Sequence, residues 1–206
     1  MGRPGGGFMP GAPPAFQIVE SVPEATAYGQ PDVPRTQQVW LDLISNAQKR
    51  IDLAAFYISN QPGEALQPVL DALIARARAG IAVRILLDAN FMKQSQAAYD
   101  LLRGQPGIEV KYSALPEAPQ GFIPYARVEH CKYAVADGRR SYIGTGNWSW
   151  SYFETTVDAS LFIAGAAPAR TLEAIFERDW MGRYVHTIEP GNLYKAPDLQ
   201  PKTHSE

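Results

Sequence analysis

From position 36 onward the chain alternates between helical and strand-like hydrophobic spacing. Val39, Trp40, Leu43 and Ile44 recur at the three-to-four-residue interval of one helix face. A helix is therefore expected from Thr36, read as its cap, through about Lys49. Ile51 to Ile58 is a mostly apolar run and reads as a strand. Pro62-Gly63 opens a longer helix with Leu66, Val69, Leu70, Leu73 and Ile74 facing inward and Gly80 as its stop. Val83 to Leu87 reads as a second buried strand, Ser95 to about Arg103 as a short helix, and Ile108 to Tyr112 as a third strand. This order argues for an α/β layer with helices packed on a sheet.

The second half changes character. Pro116, Pro119, Gly121 and Pro124 make Ser113 to Tyr125 a loop. Arg127 to Ala136, a turn at Gly138-Arg139 and Ser141 to Thr145 read as a hairpin. Asn147 to Glu154 carries Trp148, Trp150, Tyr152 and Phe153. These rings are candidates for stacking on bases or contacting acyl chains, with about half of them expected in the core. Val157 to Ile163 returns as a strand, and Pro168 to about Tyr184 is a final helix. The expected organisation is a Gly/Pro-rich disordered tail over residues 1–17, one domain over 18–188 and an extended tail over 189–206. No internal repeat is visible.

Composition narrows the function. A chain of 206 residues is long enough to bury a real core, and 19 Lys+Arg against 21 Asp+Glu give a net charge of −2. Proteins that track long nucleic acid by counterion release are usually basic. Nucleic-acid binding here would need a local basic cleft, with Lys132, Arg127 and Lys111 as candidates. Arg76 and Arg78 read as a solvated helix face. The single Cys131 excludes an internal disulfide framework and reads as a buried structural thiol. No apolar run approaches the ~20 residues of a membrane span. The N-terminal stretch lacks the apolar segment of a signal peptide, so the default compartment is cytoplasmic.

The chemistry concentrates in one stretch. His130 and Lys132 lie two apart on an extended segment, which places a nucleophile or proton carrier beside a fixed positive charge. Asp137 follows, then, after six residues, Gly144-Thr145-Gly146-Asn147, a small-residue turn that delivers an amide able to bind an oxyanion. Each residue alone has an ordinary explanation. Lys132 suits a half-exposed strand, Asp137-Gly138 is a hairpin-turn dipeptide, and Asn147 suits a turn. Their joint type and spacing are equipment for attacking a phosphodiester with no step that needs a divalent ion or other cofactor.

This spacing, H-x-K-x-x-x-x-D followed by G-T-G-N, resembles the HKD motif of the phospholipase D superfamily. The stretches 123–130, 142–149 and 172–180 are similar to the second half of endolysosomal phospholipase D-like proteins, and Val19 to Glu24 resembles their start. The resemblance implies an α-β-α sandwich with a mixed central sheet and a phosphohistidine on His130. Lys132 and Asn147 would bind the phosphoryl oxygens, with Thr145 standing where the family usually has Ser. A carboxylate orienting the histidine falls on Asp158 by one alignment and on Glu154 by another; Asp137, of opposite parity to His130, is expected to brace the fold. Most relatives carry two motifs and this chain carries one, so a homodimer with the active site across the two-fold axis is implied. The expected substrate is single-stranded nucleic acid, with phospholipid as the alternative and a non-catalytic half-domain as a second. By the same resemblance the compartment would be lumenal or secreted.

Overall fold

The computed structural model describes residues 15–187 apart from 122, 124 and 125. Four helices form on the apolar stretches read as helical, with ends that differ by several residues: α1 (Thr36–Ser45), α2 (Gln67–Arg78, starting after rather than at Pro62-Gly63), α3 (Met92–Leu102) and α5 (Ala166–Trp180); the single-turn α4 (Tyr152–Thr155) falls where no helix was expected. Strands β1 (Ala15–Ser21), β2 (Arg50–Ala54), β4 (Ala82–Asp88), β5 (Ile108–Ser113), β6 (Tyr133–Ala136), β7 (Arg140–Ile143), β9 (Asp158–Ala164) and β10 (Val185–Thr187) make one sheet. Its order is β1-β9-β7-β6-β2-β4-β5-β10. The pairs β2–β4 and β4–β5 are parallel and the remaining pairs antiparallel, so the central sheet is mixed. A separate two-stranded parallel sheet joins β3 (Ile58–Ser59) to β8 (Trp148–Ser149).

Alternation along the strands divides the core between two faces. Ile51, Leu53, Val83, Ile85, Ala134, Ala136 and Tyr142 pack with the apolar faces of α1, α2 and α3. Ala54, Leu86, Tyr133 and Val135 point the other way, onto Ala169, Phe176 and Trp180 of α5. The result is the expected α-β-α sandwich. Asp52, 1% exposed on the α5 face, bonds Arg84 Nε at 2.7 Å, and Arg84 Nη1 reaches Glu177 at 2.8 Å. The Arg84 guanidinium also lies 5.0 Å from the Phe176 ring centroid, so one cation fastens α5 to the sheet.

Several boundaries differ from the sequence reading, each for a local reason. Ala15 to Gln17, expected in the tail, begin β1 because the pairing with β9 runs from Ala15↔Ala164 to Ser21↔Asp158. The rest of the N-terminal tail and residues 189–206 lie outside the described residues. Thr36 is the first helical residue rather than the cap; the cap position is Arg35, and the Thr36 hydroxyl accepts a hydrogen bond from Ser21 Oγ at 2.9 Å. Helix α1 stops at Ser45, well before Lys49, because the carboxylate of Asp137 takes the amides of Gln48, Lys49 and Arg50 at 2.8, 2.7 and 3.1 Å. The apolar run to Ile58 is two strands, since after Ala54 the chain turns its amide at Ala55 to Leu86 O. Ser95 lies inside α3, where its Oγ accepts from the Ile58 amide at 3.2 Å. The strand expected from Arg127 starts only at Tyr133, because Arg127 has φ +55° and the Glu129 amide is drawn to Asp88. Helix α5 ends at Trp180, and the short β10 follows it against β5.

Candidate active site

Phe56 is the platform on which the motif is assembled. It follows β2, is 1% exposed, and presents its ring to both His130 and Lys132. The His130 ring meets it edge-on with centroids 4.6 Å apart, and Lys132 Nζ stands 5.1 Å from the same centroid. His130 is exposed, whereas Lys132 is buried and turns its ammonium back to the His130 carbonyl at 2.8 Å. The two side chains thus meet on one ring although the segment carrying them is not a regular strand.

Electrostatics follow from this packing. Burial, and then the Lys132 charge, hold His130 below its usual 6.5, so the imidazole is largely neutral at pH 7 and able to attack. Burial also lowers Lys132, against the opposing pull of Cys131 and Glu129. Cys131 is half-buried and pushed up to about 12 by burial and by Glu129, which leaves it an un-ionised thiol.

The loop after β7 forms the second part. The Gly144 amide donates to the Lys132 carbonyl at 3.0 Å. A Cβ at Gly144 would stand 2.5 Å from Ser160 Oγ and 2.6 Å from Tyr142 Oη, and one at Gly146 would overlap the Tyr152 ring. The two glycines are therefore required by packing as well as by the turn. Asn147 Nδ2 donates to Tyr57 Oη at 3.2 Å, while its Oδ1 is buried without a hydrogen-bond partner among the described residues. Thr145 Oγ1 donates to Asp158 Oδ1 at 2.5 Å, and Tyr152 Oη donates to Asp158 Oδ2. Tyr57, Thr145, Asn147, Ser149, Tyr152 and Asp158 line a cavity of about 240 Å³.

The motif residues thus form two groups, His130 with Lys132 on Phe56, and Thr145 with Asn147 and Asp158. They are joined by the adjacent Phe56-Tyr57 and by the Gly144–Lys132 bond. Glu154 lies elsewhere, lining a second cavity with Glu20, Glu24 and Arg35. Asp137 binds backbone amides at the end of α1, away from both groups.

The rings of the 147–154 segment are more deeply committed to the core than expected. Trp148 stacks on Trp40 at 4.0 Å, Phe153 meets Trp40 edge-on at 5.1 Å, and Trp148, Tyr152 and Phe153 are all buried. Trp150 packs against the same core, so stacking on bases by this cluster is not supported. Of the candidate cations, Lys132 is in the site. Lys111 pairs with Glu109 and lies over Trp180, and Arg127 Nε donates to Pro116 O.

Sequence reasoning missed Phe56, Tyr57 and Asp88, and it read Tyr152 as an aromatic ring rather than as the hydroxyl that holds Asp158. Phe56 and Tyr57 sat inside an apolar run read as one strand; the only available signal was their place at its end.

Comparison with known proteins bears on the family and the fold. The model of the family described as "Cardiolipin synthase, PLD-like domain" matches residues 40–180. The 5'-3' exonuclease PLD3 of Rattus norvegicus is 32% identical over 197 residues, covering 85% of this chain and 39% of that protein. The virion nicking-joining enzyme of vaccinia virus (strain Western Reserve) is 44% identical over 84 residues, 39% of this chain and 19% of the viral one. This chain therefore spans about two-fifths of the length of the exonuclease it resembles. NucT from Helicobacter pylori has the same fold, with a TM-score of 0.65 at 18% identity over 84% of this chain and 100% of its own. With the family model covering Trp40 to Trp180, and with it the whole H-x-K to G-T-G-N stretch, the chain belongs to the phospholipase D superfamily.

Proposed function

We propose that the chain is a phosphodiesterase that cleaves single-stranded nucleic acid through a phosphohistidine on His130. The observation that carries this reading is the placement of His130. It is exposed, held below its usual protonation range and seated beside Lys132 on Phe56. An imidazole nitrogen attacks phosphorus and the bond to the leaving oxygen breaks, with a proton supplied by a second histidine. That second histidine then takes a proton from water, which attacks the same phosphorus and breaks the P–N bond. Lys132 and Asn147 bind the non-bridging oxygens as charge develops on them, and the buried Oδ1 of Asn147, unpaired among the described residues, is free to accept from substrate or protein. Asp158, fixed by Thr145 and Tyr152, is favoured over Glu154 as the supporting carboxylate because it shares the cavity with Asn147.

The second histidine is supplied by a second copy of the chain. Strand pairing places Ile18, Leu161 and Ile143 in one row across β1, β9 and β7, at 55, 36 and 38% exposure. Alternation along β1 adds Phe16 to the same face, at 62%. The row lies on the α5 side of the sheet, since Ile143 pairs with Tyr133, and it runs directly into Gly144. Such an apolar strip beside the site, exposed among the described residues, supports a docking face.

Nucleic acid is preferred as substrate because the relatives named above are an exonuclease and a nicking-joining enzyme. The matched family model carries the name of a lipid enzyme, which keeps phospholipid as the second reading. Cleavage of end-labelled single-stranded DNA and RNA in EDTA, beside phosphatidylcholine and phosphatidylglycerol vesicles, separates the two. Nucleic-acid cleavage that disappears in His130→Ala supports the first. Headgroup release alone transfers the proposal to lipid.

A further inference from the structure

Directly behind the motif lies a carboxylate that the proposed chemistry does not use. Asp88 ends β4 and is 0% exposed. Its Oδ1 accepts from the Asn90 amide at 2.8 Å, and its Oδ2 accepts from the Glu129 amide at 2.6 Å. Its own amide donates to the carbonyl of Phe56 at 3.2 Å. One buried side chain and its backbone therefore tie together the strand end, the platform residue and the residue immediately before His130.

The surroundings make this an unusual place for a charge. Burial raises Asp88 to about 6 even though two amides oppose the shift. The Glu129 carboxyl is raised by its own burial and by Asp179 and Asp88, with Cys131 bonded to it. Asp179 of α5 is raised as well, and Lys132 is the cation whose charge reaches Cys131 and Glu129. A group with a folded pKa above its ordinary 3.8 stabilises the fold most when protonated, an advantage lost as the pH rises through about 6. Ionised Asp88 is thus kept at neutral pH against the preference of its site, and what it gains is a pair of amide contacts that hold the His130 segment.

We propose that Asp88 is a positioning residue for the phosphodiesterase reaction: by gripping the Glu129 amide it sets the backbone that seats the His130 ring on Phe56. The inference rests on the reading of His130 as nucleophile, yet the seating of the ring is measurable without turnover. One side of the otherwise exposed His130 ring is desolvated against Phe56, and desolvation is the first cause of its low value, so an Asp88→Asn change that lifts the ring off Phe56 raises its pKa toward 6.5. Simple loss of a nearby negative charge acts in the opposite direction and lowers it. The sign of the shift therefore separates positioning from electrostatics.

The experiment is NMR titration of the histidine Cε1–H signals in the full chain, for wild type and Asp88→Asn, with His130 assigned through His130→Ala. Single-turnover kinetics on single-stranded DNA accompany it. The expected result is an upward His130 shift, a Glu129 amide that titrates near 6 only in wild type, and a single-turnover rate reduced at least tenfold with the half-saturating DNA concentration nearly constant. An unchanged or lowered His130 value in a folded Asp88→Asn protein overturns the proposal, whatever the activity. If Asp88→Asn does not fold, wild type decides through Glu129, whose amide must follow a titration near 6 for the proposal to stand. Absence of cleavage by wild type contradicts the nucleic-acid reading and leaves the NMR result to judge Asp88.

Discussion

The Gly144 amide donates to the Lys132 carbonyl at 3.0 Å, so the loop bearing Thr145 and Asn147 is pinned to the residue that supplies the site's positive charge. Neither glycine of that loop has room for a side chain. Gly146→Ala, which pushes into the Tyr152 ring, is expected to destabilise the protein by roughly 1–3 kcal/mol. Urea denaturation measures the loss. Because Tyr152 also holds Asp158, turnover should fall further than stability.

Asp137 belongs to the motif by spacing, but its carboxylate serves the backbone. Asp137→Ala leaves the amides of Gln48, Lys49 and Arg50 without their acceptor, a loss of roughly 2–3 kcal/mol. Turnover per folded molecule should stay within a few-fold of wild type. A collapse of kcat in a stable Asp137 variant would assign it to the chemistry instead.

Activity should follow a bell in pH centred below 6.5. The mechanism needs one His130 neutral and the other protonated, and both start from the same lowered pKa. The singly protonated pair is most populated near that common value, and repulsion between the two rings pulls the centre lower still. A kcat/KM profile centred above pH 7 would contradict this assignment.

The fastening of α5 predicts an asymmetry. Removing Asp52, at 1% exposure, strands a largely buried Arg84 and is expected to cost roughly 3–5 kcal/mol. Removing Glu177, half-exposed at the other end of the same guanidinium, should cost less than about 1 kcal/mol. Paired denaturation curves test the contrast.

Charge on the apolar strip should separate assembly from folding. Phe16→Arg and Ile18→Arg are expected to leave the circular dichroism spectrum and melting temperature nearly unchanged, because both positions are more than half exposed, at 62 and 55%. Light scattering should report monomers, and phosphodiesterase activity should disappear with the dimer. An active monomer would remove the need for a second histidine.

How far the sequence carried these conclusions varies with the physics at each place. Helices α1 and α2 were legible because Trp40, Leu43, Leu70 and Leu73 repeat one buried face. Strand β1 was not, since Phe16 and Ile18 face outward and follow a Gly/Pro-rich stretch. The pairing with β9 that holds them joins residues 149 apart in the chain at Ala15↔Ala164 and 137 apart at Ser21↔Asp158. Residues Lys132 and Asn147 were visible as a spacing, whereas Phe56, which seats two of the motif's side chains, looked like any apolar strand residue. Asp88 was hidden for a similar reason. A carboxylate at a strand end reads as a turn or cap, and only the folded chain brings the Glu129 amide to it.

The most direct test of the central claim is a search for the covalent intermediate. Single-stranded DNA carrying label at its internal phosphates would be mixed with the protein, quenched in denaturant at alkaline pH, and the protein examined for bound label. The expected label is stable in alkali, released by acid as a phosphoramidate is, retained in His186→Ala and absent in His130→Ala. Cleavage of the DNA with no label on His130 would contradict it.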